Sequence, residues 1–164
     1  MPDWFSISIV KDILLSVIAL YGAILSTFNY VQAARKDRRA VIVKSSTVMP
    51  TYGNTLGNCF AKVEAINAGH RAVTISNLAF EVPEGQRLFP MGSGVPGMED
   101  TQLPASLSDG ESAHLFVAYR DIGDALVSRG RTQKTNLIPI CIDSLGGVYK
   151  GEPWEVDPHE FLRM

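Results

Sequence analysis

The residues of this 164-residue chain with chemistry to offer are few: three histidines, two cysteines, a glycine-rich hexapeptide and a scatter of bases. His70 falls in a turn, His114 on one face of an alternating apolar run and His159 near the carboxyl end. None stands at metal-ligand spacing from another His or Cys. The hexapeptide "GSGVPG" sets Gly92, Gly94 and Gly97 in G-x-G-x-x-G order. A dinucleotide loop of that order needs a buried strand before it and a helix after it, so that phosphates meet a helix amino terminus. Here Pro96 lies inside the motif, and Met98-Glu99-Asp100 puts acid where phosphate would sit. The stretch therefore reads as a long loop over residues 89 to 104. With no nucleophile elbow, His-Glu-x-x-His pair or P-loop, no catalytic residue, metal site or cofactor is expected.

One group of bases has ligand chemistry. Arg129, Arg131 and Lys134 are close in sequence, and Arg120 and Arg71 join them if this segment packs beside the hairpin that carries Arg71. Guanidinium forks bind phosphate oxygens in pairs, so a small anionic ligand is the expectation here. The competing explanation is that bases at a helix carboxyl end complement its dipole. Cys59 shares a face with Val63 and points inward by alternation, whereas Cys141 shares a phase with Asp143 and is expected to point out. Two reduced thiols follow from those opposed faces.

The elements that position these residues fall into two parts. Residues 13 to 31, ILLSVIALYGAILSTFNYV, carry no charge and at about 1.5 Å per residue match the ~30 Å of a bilayer core. Ser16, Ser26, Thr27 and Asn29 are too few to form the polar face of a soluble helix. A signal peptide is the rival reading, since Val31-Gln32-Ala33 has the form of a cleavage site. Its leader should be positive, however, and Lys11 is outnumbered by Asp3 and Asp12. The charge lies after the span instead, in Arg35, Lys36, Arg38 and Arg39. Bases flanking a span are retained in the cytoplasm, so the carboxyl domain is expected there, at the inner membrane. Trp4, Phe5 and Tyr30 suit the interfacial aromatic belts. Ser16, Ala19, Ala23 and Ser26 recur at helical spacing with Gly22 beside them, a small-residue face that allows a homo-oligomer in the bilayer.

The expected division is a leader over 1 to 12, a transmembrane helix over 13 to 31, a basic linker over 32 to 39 and a folded domain over 40 to 164. Residues 1 to 39 hold five of the chain's fifteen bases and three of its seventeen acids. The domain is therefore acidic, with ten bases against fourteen acids, which argues against generic nucleic-acid binding. Within it, strands are expected over 40 to 48, 58 to 67, 72 to 82, 112 to 119, 135 to 143 and 147 to 150. A bulge near Ser76-Asn77 would reconcile the Val73/Ile75 phase with that of Leu78, Phe80 and Val82. "YRDIGDALVSRGRT" reads as one short crossover helix capped by Asp121 and stopped by Gly130. "VDPHEFLRM" reads as a second, capped by Asp157 with Pro158 at its first position.

The stretch "VEAINAGHRAVTISNLAFEVPEGQRL", with its Asn67-x-Gly69 turn before Val73-Thr74-Ile75, resembles the strand-turn-strand of bacterial immunoglobulin-like sandwiches. The resemblance implies a mainly β, immunoglobulin-like β-sandwich and no activity. A non-enzymatic binding or interaction module, anchored in the membrane, is the functional expectation. The layout of one span and one small domain is also similar to that of membrane effectors in prokaryotic antiphage signalling. That similarity implies an oligomer whose domain senses an anionic ligand and whose helix perturbs the bilayer. A third reading, an exported domain, would make Cys59 and Cys141 candidates for a bond.

Overall fold

In the computed structural model, residues 4 to 36, 39 to 90 and 99 to 164 are described. The chain divides into two compact units, Met1–Arg38 and Arg39–Met164.

The first unit is one helix, α1 (Trp4–Lys36). Its stretch Ile9–Ala33, 25 residues long, is long and apolar enough to cross a membrane, and none of it is buried against protein. Two of its hydroxyls are satisfied within the helix. Ser16 Oγ donates to the Asp12 carbonyl and Thr27 Oγ1 to the Ala23 carbonyl, each at 2.8 Å. Such back-bonding removes an unpaired donor from an apolar surface.

The second unit is mainly β. In chain order its strands are β1 (Val41–Val48), β2 (Thr51–Tyr52), β3 (Thr55–Leu56), β4 (Phe60–Asn67), β5 (Val73–Glu81), β6 (Arg87–Leu88), β7 (Ala105–Leu107) and β8 (Ser112–Ala118). The helix α2 (Tyr119–Val127) follows, then β9 (Thr135–Asp143), β10 (Val148–Lys150), β11 (Trp154–Val156) and α3 (Pro158–Phe161). One sheet runs β1-β4-β8. The other runs β10-β9-β5-β6, with β11 also paired to β9 and β7 to β5, and β2 and β3 form a separate hairpin. All of these pairs are antiparallel.

Alternation explains which side chains meet. In β4, Ala61, Val63 and Ala65 are fully buried while Lys62 and Glu64 lie on the other face and pair at 2.8 Å. They share one core with Ala113, Leu115 and Val117 of β8 and with Val73, Ile75, Leu78, Phe80 and Leu137 of the second sheet. The expected bulge is present: register shifts between Ile75 and Asn77, and Ser76 Oγ donates to the Ile142 carbonyl at 2.9 Å. Without that extra residue, either Val73 and Ile75 or Leu78 and Phe80 would face away from the core.

The two sheets curl toward one another along one side. Strand β1 contacts β9 and β10, and Gly151 passes so close to it that a Cβ there would stand 2.4 Å from the Val43 carbonyl oxygen. The free edge of β8 is covered by residues 99 to 101. The Thr101 N–H donates to the His114 carbonyl at 3.0 Å, and Asp100 Oδ1 accepts from the Phe116 N–H at 2.8 Å. A sheet edge satisfied in this way offers fewer groups for unwanted pairing.

Two expectations are corrected. Cys141 does not point out: it pairs opposite Leu78, lies fully buried and belongs to the core. Strand β9 is covered on both faces, with Ile140 fully buried too, so alternation alone does not reveal its inner face. Asp143, which set the misleading phase, is itself buried as a turn bracket. Its Oδ1 accepts from the Leu145 and Gly147 N–H groups at 2.9 and 2.7 Å, and its Oδ2 from the Tyr149 hydroxyl at 3.2 Å. Cys59 and Cys141 are both free thiols, although not because they face apart.

The second correction concerns α2, which begins at Tyr119 with Ala118 in the cap position, leaving Asp121 in the first turn. Tyr119 is drawn into the core, stacked on Phe161 at 4.2 Å between centroids, close to Trp154 and hydrogen-bonded to Thr47. That packing starts the helix earlier than the local capping pattern suggests. In α3 the Asp157 carboxylate caps as expected, accepting from the His159 and Glu160 N–H groups.

Candidate functional site

The carboxyl end of α2 builds a basic surface carrying Arg129, Arg131 and Lys134. Gly130 adopts φ +75°, a conformation that disfavours side chains, and the Gly130 and Arg131 N–H groups return to the Val127 and Leu126 carbonyls. The reversal brings Arg131 against the 3-10 turn Pro83–Gly85 that follows β5. Arg131 Nη2 donates to the Pro83 carbonyl at 2.8 Å and lies 3.3 Å from Glu84 Oε2. Arg87 opens β6 immediately after that turn. Between these segments is an open depression of about 860 Å³ lined by Glu84, Gln86, Arg87, Arg129, Gly130 and Arg131. Lys134 lines an adjoining depression with Arg131, Thr132 and Gln133.

Of the five bases expected to act together, the structure gathers Arg129, Arg131 and Lys134. Arg120 sits at the other end of α2, about 13 Å along the helix axis from Arg129. Arg71 does not reach this site. It lies in the turn before β5, whereas Pro83 and Arg131 lie beyond that strand's far end, some 30 Å away along an extended chain. The Arg71 carbonyl instead accepts from Asn67 Nδ2 at 2.8 Å, in the bracket by which Asn67 also holds Leu107 and Gly69. Arg87, Gln86 and Glu84 were not expected at the site. The β5–β6 pairing of Phe80 with Leu88 and Glu81 with Arg87 places them there, and so short a second strand leaves little pattern to read.

The histidines occupy separate positions. His70 Nδ1 is 2.5 Å from Asp109 Oδ2, joining two turns, and both side chains are exposed. His114 stacks edge-on against Phe116, with Nε2 3.1 Å from the Glu99 carbonyl. His159 is exposed in α3. The loop motif Gly92, Gly94 and Gly97 lies outside the described residues. Burial and the Asp143 charge push the Cys141 thiol up to about 12, so it is protonated and unreactive at neutral pH. The Glu64 carboxyl is held below its ordinary range, chiefly by its hydrogen bond from Lys62.

On α1, the small residues Ser16, Ala19, Gly22, Ala23 and Ser26 are exposed, and the space around Gly22 is open. Arg35 and Lys36 end α1, Arg38 lies outside the described residues and Arg39 opens the second unit, exposed.

No protein-family model and no curated protein matches the chain. Among solved structures, it is similar to one titled as Northeast Structural Genomics Consortium target SoR45, at 11% identity and a TM-score of 0.27, over 73% of this chain and 86% of that one. A superposition of that quality carries no argument about fold or activity.

Proposed function

We propose that the chain is a single-pass protein of a bacterial inner membrane that holds a non-enzymatic binding domain, of the immunoglobulin-like sandwich class, in the cytoplasm. The observation that carries this reading is the apolar stretch Ile9–Ala33, exposed on every side, followed at once by Arg35, Lys36, Arg38 and Arg39. Apolar side chains exposed all round a helix need lipid or protein to cover them, and bases after a span favour the cytoplasmic side. The binding role is supported by a surface whose chemistry is recognition: arginines around an open depression, with His70 and His114 engaged elsewhere in the fold.

Alkaline carbonate extraction followed by mass analysis tests the anchor. Full-length protein retained in the membrane pellet is the expected result. Release into the supernatant, or loss of the first ~33 residues at the small-residue site, would remove the basis of the proposal.

The arginine-lined depression favours a second reading, in which ligand binding by the domain rearranges an oligomer of spans and perturbs the bilayer. Replacing Ala19 and Ala23 with Leu should then abolish permeability changes on overexpression. Permeability that is unchanged by those replacements, or absent in the wild type with ligand supplied, rejects it.

A further inference from the structure

The depression between the Pro83–Gly85 turn and the end of α2 has three features that together specify a ligand class. Its walls bring Arg87 from one segment and Arg129 and Arg131 from another, three guanidinium groups facing one carboxylate, in a domain whose formal charge is otherwise acidic. Among the described residues its lining contains no aromatic and no large apolar side chain, so these residues offer no face on which a nucleobase or acyl chain could stack. And its one acid, Glu84, holds a left-handed backbone, φ +74°, uncommon for a residue with a side chain, while its carboxylate reaches Arg131. Glu84 is largely exposed, 76%, whereas Arg131 is 19% exposed and fixed by the Pro83 carbonyl. The cation is therefore anchored and the anion replaceable.

We propose that this depression binds compact oligophosphates through their phosphoryl oxygens, and that the Glu84 carboxylate is an intramolecular competitor occupying Arg131 until such a ligand displaces it. This inference names the ligand of the binding domain proposed above and rests on that reading for its biological setting. Guanidinium forks from two walls match a chain of linked phosphoryl groups better than a single monoanion, because each fork takes two oxygens. Recognition is blind to whatever organic group the phosphates carry. Phosphoryl groups of this kind occur on soluble metabolites and on lipid headgroups, which share the contacts described.

The test is titration of the full chain, purified in detergent, with inorganic tripolyphosphate and separately with a nucleoside triphosphate, at two salt concentrations. Both should bind with affinities within about threefold of each other, since none of the described lining residues offers a base contact, and both should weaken as salt rises. Arg129→Gln and Arg87→Gln, each at an exposed position, should each weaken binding roughly tenfold, the loss of one charge-assisted contact. Glu84→Gln should tighten it about threefold by removing the competing charge. Unchanged thermal unfolding of the variants separates these effects from misfolding. Vesicles containing phosphatidate, compared with zwitterionic vesicles, form the lipid arm: competition by phosphatidate assigns the site to headgroups, and its absence to soluble phosphates. No tripolyphosphate binding by the folded protein overturns the proposal, as does binding indifferent to Arg87 and Arg129. A nucleotide bound much more tightly than tripolyphosphate overturns the phosphoryl-only recognition. A chain retained in the membrane that binds no tripolyphosphate leaves the anchored-module reading intact, whereas a cleaved or released chain that still binds it refutes only the anchor.

Discussion

Leu20 and Leu137 are the same side chain in opposite circumstances: Leu20 on α1 is 64% exposed, and Leu137 in β9 is fully buried. The difference lies in pattern rather than composition. In α1 apolar residues succeed one another without a polar face, so no packing against a single neighbour hides them all. From Val41 onward they alternate with polar ones, so two sheets close over them. The first region is built to be covered by its surroundings, and the second covers itself.

The contrast can be broken first at the core. Phe80→Ala, at a fully buried site against Trp154, should cost about 3–5 kcal/mol of domain stability, read by denaturant unfolding, and leave membrane retention unchanged. A retained but fully folded variant would mean that the domain core is not where the structure places it. The converse change is Leu20→Arg, which should cost about 2.5–3.5 kcal/mol of insertion and deplete the membrane fraction while domain unfolding stays the same. Equal loss of domain stability would show that α1 packs as protein.

Two glycines sharpen the comparison further. A Cβ at Gly151 meets the Val43 carbonyl, so Gly151→Ala should destabilise by about 1–3 kcal/mol, whereas Gly22→Ala meets open space and should leave the domain's unfolding where it is. Identical unfolding midpoints for Gly151→Ala and wild type would contradict the close approach of β1 to the second sheet.

A further effect appears only at alkaline pH. An unfolded thiol ionises near 9, while folded Cys141 holds its proton to about 12. Its contribution to stability is therefore complete below pH 9 and lost as pH rises toward 12. Burial raises the Tyr119 and Tyr149 hydroxyls in the same direction. Unfolding midpoints should decline across that window, and maleimide at pH 8 should label Cys141 only after denaturation. Rapid labelling in the native state would place it outside the core.

The apolar amino-terminal helix and the long strands were legible because their patterns are uninterrupted. β9 spans the expected residues 135 to 143, and the bulge at Ser76 followed from an apolar phase that otherwise contradicts itself. The short pairings were not legible. β6, β7 and β11 are two or three residues each and owe their geometry to neighbours rather than to an alternation of their own. That is why Arg87 was missed at the basic site and why Arg71 was grouped with it: sequence proximity to a hairpin does not say which end of β5 a residue occupies. Cys141 failed for a related reason, since a strand buried on both faces has no polar side to betray its phase.

The central proposal is that the bases at and just beyond the end of α1, Arg35, Lys36, Arg38 and Arg39, hold the domain in the cytoplasm. Carboxyl-terminal fusions to a reporter that fluoresces only in the cytoplasm, and to one active only after export, test it directly. The account predicts fluorescence from the first and silence from the second, with the pattern weakening or reversing when Arg35, Lys36, Arg38 and Arg39 are all replaced by Gln. Export activity from the unmodified chain would contradict it, and would place Cys59, Cys141 and the arginine-lined depression on the far side of the membrane.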